Sequence, residues 1–202
     1  MRGLRAVYNR AVEKELTVQR NPFKHVYTGI DKTVKRAVPL KIIRQIRDAD
    51  LTLTPATDYA RDLFIFSFYT RGMSFVDMAY LRKKDLQNGV LAYRRQKTGQ
   101  QLFIKWEKPM QEIVEKYDTS GTPYLLPIIR DMEKDARRQY KNAAHLVNAK
   151  LKKLGEQLGL GIPLTTYVAR HAWASIAKSK NIPVSTISCL LYTSPSPRDG
   201  AT

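Results

Sequence analysis

Three short stretches carry side chains whose types and spacing suit the handling of a phosphate. In "TTYVARHAWASIA", Arg170 follows Tyr167 by three residues, one helical turn, so both project from one face, and His171 lies beside them. A guanidinium fork binds two non-bridging phosphate oxygens at once. In "YRRQKTGQ", Lys97 stands where two strand-like runs meet, with Arg94 and Arg95 next to it. In "TRGMSFVDMAYLRKKDL", Arg71 precedes the Gly72 turn, Ser74 and Asp77 have capping-box spacing, and Arg82, Lys83 and Lys84 follow. Ordinary alternatives stand beside each: a surface arginine, a core tyrosine, a helix cap, a solvated turn lysine. For Arg170 the apolar company of Val168, Ala169, Ala172 and Ala174 argues against a simple surface residue. Cys189 is the single cysteine, and His25, His145 and His171 lack zinc-ligand spacing, so neither a metal nor another cofactor is expected.

The elements that must position these groups are mostly helices. Leu4, Val7, Tyr8, Ala11, Val12 and Leu16 recur at helical spacing, which predicts an amphipathic helix over 4–16. Pro22, Gly29 and Pro39 then interrupt any period, so a boundary is expected between residues 20 and 38. A short helix begins at Leu40. Thr54 and Pro55 read as the cap and first turn of a helix to Tyr69 that is apolar nearly all round, as for a central buried helix. Gly72 stops it and Ser74 starts the next. Val90–Arg95 and Gln101–Trp106 read as a hairpin through Lys97, Thr98 and Gly99. Helices are expected over Pro109–Tyr117 and from about Asp131 to Leu158, the latter with an apolar stripe of Tyr140, Ala144, Val147, Leu151, Leu154 and Leu158. Thr165 or Thr166 caps a further helix, and Pro183 opens the last. The fold class is therefore mainly α with a small antiparallel β-sheet.

Charge points to the partner. The 202 residues hold 35 Lys and Arg against 18 Asp and Glu, a formal net charge of +17. Such an excess destabilises a compact chain by self-repulsion unless a polyanion is its normal partner, which favours nucleic acid over a ribosomal or membrane-surface role. No run of eighteen apolar residues exists and the basic start lacks a signal-peptide core, so a cytoplasmic location without membrane contact is expected.

Taken together and in this order, the three stretches resemble the catalytic domain of the tyrosine recombinases, or phage integrases, over about residues 38–188. The resemblance implies the DNA breaking-rejoining fold, with residues 1–20 as the last helix of a core-binding domain and 21–37 as a linker. It also implies site-specific recombination of double-stranded DNA for a mobile element or prophage, through a 3′-phosphotyrosine link and without metal. Cations around the phosphate stabilise the developing charge, and an acid protonates the departing 5′ oxygen. By resemblance Arg170 is the second arginine of the family's His-x-x-Arg-His pattern, with Tyr167 at the position more often histidine. Tyr167 is assigned positioning, or else a place in the core, and His171 packing. Lys97 matches the mobile hairpin lysine that acts as general acid, and Asp77 the motif acid. Where the family's Gly-Leu-Arg places its first arginine, this chain has Ser74; Arg71, as in a conjugative-transposon-like subgroup, is the expected substitute. Arg82, Lys83, Lys84, Arg94 and Arg95 are expected to contact DNA phosphates.

The end of the chain departs from the family. After "IPVSTIS" the Gly-His segment and the nucleophilic tyrosine are absent, Tyr192 comes too early, and Pro195 and Pro197 would break the helix that should present it. "CLLYTSPSPRD" is identical to one reading frame of a transposon-end sequencing adapter, so residues 189–202 are expected to be non-native and the chain an inactive fragment. The parent is expected to work as a tetramer on paired sites and the fragment to be a monomer. The other reading is a DNA-binding regulator that does not cleave; a type IB topoisomerase is less favoured.

Overall fold

The computed structural model describes residues 2–26 and 37–191; of the expected adapter-like tail, residues 192–202 lie outside them, while Cys189, Leu190 and Leu191 form the end of the last described helix. The chain divides into two compact units, residues 1–35 and 36–202. In the first, helix α1 (Arg2–Glu13) is followed by a turn that folds back on it. The Tyr8 ring packs edge-on against Phe23, and its hydroxyl donates to the Val18 carbonyl at 3.0 Å while accepting from the Arg20 amide at 2.8 Å. Leu4, Val7 and Leu16 of the expected apolar stripe are exposed.

The second unit is built around α3 (Pro55–Tyr69), whose Ala60, Leu63, Phe64, Ile65 and Phe66 are buried. Being apolar on every side, α3 can be surrounded. It contacts α2 (Leu40–Arg47), α5 (Lys108–Glu115), α6 (Ala136–Gln157) and α7 (Thr166–Ser179). Thr54 precedes α3 as expected but makes no side-chain cap; its hydroxyl turns back to the Leu51 carbonyl. The α6 start lies five residues later than the sequence pattern indicates, because the Asp135 carboxylate accepts from the amides of Arg137 and Arg138 and so sets the N-terminus there. Val147, Leu151 and Leu154 form its buried stripe.

Between α4 (Phe75–Tyr80) and α5 lies a three-stranded antiparallel sheet in the order β1 (Leu86–Gln87), β2 (Val90–Arg94), β3 (Gln101–Lys105). The short β1 was not expected from the sequence. Register pairs Leu91 with Ile104 and Tyr93 with Leu102 on the core side. The alternate positions, Val90 with Lys105, Ala92 with Phe103 and Arg94 with Gln101, make the other face. The last helix is α8 (Val184–Leu191), whose Ile187 and Leu191 pack against Ala177 and Trp173. Among the described residues, no helix is long and apolar enough to cross a membrane.

Candidate phosphate-binding site

The site forms where the end of α3 meets α7 and the β2–β3 turn. After Thr70, whose hydroxyl donates to the Phe66 carbonyl, the chain takes two successive left-handed conformations, Arg71 at φ 62° and Gly72 at φ 75°. Gly72 suits this turn because it has no side chain to strain. It also permits a close approach: a Cβ there would sit 2.9 Å from the Arg170 Cα. Arg170 uses that proximity, donating from Nε to the Gly72 carbonyl at 2.7 Å. Its Nε is thereby committed to the backbone, and the orientation of the guanidinium is fixed by a residue 98 positions away.

Asp77 is the second anchor. It is buried, its Oδ2 accepts from the Ser74 hydroxyl at 2.5 Å, and Ser74 Oγ in turn accepts from the Asp77 amide at 3.3 Å, capping α4. Asp77 Oδ1 accepts from the Gln96 amide at 2.8 Å, which ties α4 to the hairpin turn. The capping reading of Ser74 and Asp77 therefore holds, and the carboxylate does more than cap.

Arg95, expected beside Arg94 as a phosphate contact, has a different setting from its neighbour: it is 5% exposed. Successive strand residues point to opposite faces, so when Arg94 faces outward Arg95 turns in. Its Nε lies 3.8 Å from Asp77 Oδ2 and its Nη1 donates to the Leu191 carbonyl at 2.8 Å. The turn that follows is closed by the Gly99 amide on the Arg95 carbonyl and the Arg95 amide on the Gln100 carbonyl, at 2.8 and 2.9 Å. Lys97 is exposed within that turn, and Arg94 reaches the Gly99 carbonyl from outside.

Arg71, Arg95 and Arg170 line one narrow cleft, together with Tyr93, Phe103 and Leu190. Its electrostatics are those of an anion site. Burial, and then the Arg95 charge, lower the Arg170 pKa, while Asp77 opposes them. Burial, reinforced by Asp77, also pushes the Tyr93 phenol well above its ordinary value, so it remains a neutral hydrogen-bonding group beside the arginines. Tyr93 does not stand out in the sequence by type; its alternation with the inward Leu91 is the signal that places it on this face. The Asp77 carboxylate lies 3.8 Å from Arg95 and its charge also reaches Arg170, and an anion in the cleft would relieve the remaining repulsion between the guanidiniums.

Tyr167 is 46% exposed on α7, with its ring edge-on to His171 at 4.5 Å between centroids. It is a surface tyrosine and not a core one. Arg82, Lys83 and Lys84 are exposed on the segment after α4. Lys83 donates from Nζ to the Thr119 carbonyl at 2.6 Å, which holds its ammonium in place, and Arg82 pairs by backbone with Tyr124. Among the described residues, no group of three His, Cys, Asp or Glu side chains could hold a metal ion.

No family model matches the sequence, and no curated protein matches it significantly. Solved structures do match in fold. Lambda integrase, as a tetramer bound to a Holliday junction, superposes with a TM-score of 0.62 at 15% identity, over 96% of this chain and 57% of that one. The lambda integrase catalytic core gives 0.53 at 17% identity, over 80% of this chain and 94% of that one. The Tn1549 transposon integrase in complex with transposon right end DNA gives 0.61 at 14% identity, over 94% and 68%. The chain thus spans little more than half the length of lambda integrase. Its fold is that of the tyrosine recombinase catalytic domain, mainly α with a small antiparallel sheet.

Proposed function

We propose that this chain is the DNA-binding and phosphate-gripping core of a site-specific tyrosine recombinase that integrates or excises a mobile element or prophage. The observation that carries the reading is the cleft lined by Arg71, Arg95 and Arg170, in which Arg170 is docked on the Gly72 carbonyl and Arg95 lies 3.8 Å from Asp77. Double-stranded DNA is the partner, and the working assembly is a tetramer on paired sites. In the reaction a tyrosine oxygen attacks the scissile phosphorus, the bond to the 5′ oxygen breaks, and a 3′-phosphotyrosine link stores the energy for religation. Arg170 and Arg95 hold the non-bridging oxygens and stabilise the charge that accumulates there. Arg95 fills the role left open at Ser74, since it is buried beside the motif acid; Arg71 serves at the rim. Lys97, exposed in its turn, reaches the leaving 5′ oxygen and supplies its proton. Tyr167 positions the phosphate from α7. No nucleophile is assigned within residues 1–202, and Tyr192 is left out of the reaction.

The second reading, a regulator that binds DNA without cutting it, is favoured by one observation. Leu190 lines the cleft and the Leu191 carbonyl accepts a hydrogen bond from Arg95, so the end of α8 occupies ground the phosphate would need.

Titration of duplex DNA followed by electrophoretic mobility tests the grip. Arg95→Ala and Arg170→Ala are expected to weaken binding more than the charge-matched Lys152→Ala on α6, and equal losses in all three would overturn the assignment. On a nicked suicide substrate no covalent adduct is expected. An adduct abolished by Tyr192→Phe would restore Tyr192 as the nucleophile.

A further inference from the structure

The outer face of the sheet carries a group that neither the fold nor the proposed chemistry uses. Phe103 is 62% exposed at the centre of β3, opposite the small Ala92, and it lines the same cleft as Arg71, Arg95 and Arg170. Core packing does not explain it, because its inward neighbour Ile104 does that work at 3% exposed. Its surroundings are basic: Arg94 lies on the same face and Lys97 in the adjoining turn, while Lys105 sits one pair further along, 3.5 Å from Glu107. An exposed aromatic ring on the same face as Arg94 and Lys105 is poorly suited to a second copy of a chain carrying +17. It is well suited to a nucleotide, whose phosphate satisfies the cations and whose base offers a flat apolar face.

We propose that Phe103 is a stacking platform for an unpaired base next to the phosphate held in the arginine cleft. The inference rests on the DNA-binding reading above and adds to it. Phosphate contacts fix position without distinguishing paired from unpaired DNA. A ring at the mouth of the cleft supplies that distinction, because a base can reach its face only after leaving the duplex stack. Phe103 is thus a specificity-determining residue that favours locally opened DNA, the state in which strands can be exchanged after cleavage.

The test compares a fully paired duplex with one of equal length and flanking sequence that carries a short mismatch bubble, at one fixed salt concentration. The wild-type chain is expected to bind the bubble duplex more tightly, by about fivefold or more. Phe103→Ala should abolish that preference, lowering affinity for the bubble duplex more than for the paired one, and Phe103→Trp should retain it. Because the ring is exposed, none of these changes threatens the core, and thermal melts of the variants serve as the check. If wild type and Phe103→Ala show the same preference, or none, the stacking role is overturned while DNA binding stands. If wild type binds neither duplex, the DNA-binding reading falls and the stacking role with it. If Phe103→Ala instead changes only the sedimenting mass of the free protein, this face joins protomers and the proposal is wrong.

Discussion

The two residues of the Arg71–Gly72 turn share a backbone conformation but should answer substitution in opposite ways. Gly72→Ala places a methyl 2.9 Å from the Arg170 Cα at a left-handed φ of 75°, so the turn and α7 must part. A loss of about 1–3 kcal/mol in urea unfolding is expected, and with it a loss of DNA affinity because Arg170 is oriented by the Gly72 carbonyl. Arg71 is already strained at φ 62°. Arg71→Gly removes a left-handed penalty of about 1 kcal/mol, which the added freedom of the unfolded chain offsets. Stability is therefore expected to stay level while DNA affinity falls, since a cleft-lining guanidinium is lost. A parallel loss of stability in Arg71→Gly would show that its side chain holds the turn together.

Among the elements, those with long periodic patterns were readable and those set by single contacts were not. The all-round apolar run of α3 could only be a buried helix, and the Leu151–Leu154 stripe could only face a core. A strand of two residues such as β1 has no period to detect. The start of α6 is not legible in the sequence because residues 131–135 are mostly polar and compatible with either state until the Asp135 cap decides. The site followed the same division. Arg170 and Lys97 stand out as candidates from their local patterns, whereas the inward turn of Arg95 depends on where the strand ends and the hairpin begins, which sequence fixes only to within a residue or two. The partners of α3 carry a further consequence. The Tyr59 hydroxyl reaches the Pro127 carbonyl at 3.3 Å and the ring packs edge-on against Tyr117, whose own hydroxyl donates to the buried Asp62 at 2.6 Å. Burial pushes the Tyr59 phenol up to about 12, and burial with Asp62 pushes Tyr117 higher still. A folded-state pKa above the unfolded value of about 10 means that the stabilising contribution is intact below that pH and is lost as pH rises toward the folded value. Denaturant midpoints are thus expected to fall between pH 10 and 12, and Tyr59→Phe should shrink that fall. A midpoint independent of pH in this window would contradict the buried, neutral phenol.

At the scale of the whole molecule, one charge excess should produce two salt responses of opposite sign. With a net charge of +17, the free chain repels itself, whereas its ion pairs, exposed like Lys152 with Glu156 at 4.0 Å or buried like Arg95 with Asp77 at 3.8 Å, act at short range. Screening weakens the long-range repulsion more than these close contacts, because the Debye length falls from about 10 Å at 0.1 M salt to about 3 Å at 1 M. The melting temperature of the free protein should therefore rise with sodium chloride. DNA affinity should fall over the same range, since each phosphate neutralised releases counterions and contributes about 0.9 to the slope of log affinity against log salt. If Arg82, Lys83 and Lys84 contact only DNA phosphates, as proposed for these exposed cations, replacing them together by Ala should flatten that slope by about 3 at most and weaken paired and bubble duplexes equally. The same triple change should raise the melting temperature at low salt by removing repulsion. Loss of melting stability in that variant would mean that the Lys83 contact to the Thr119 carbonyl outweighs the charge it brings. Comparing Lys83→Ala with Lys84→Ala separates the two effects, because Lys84 carries the same charge without that side-chain tether.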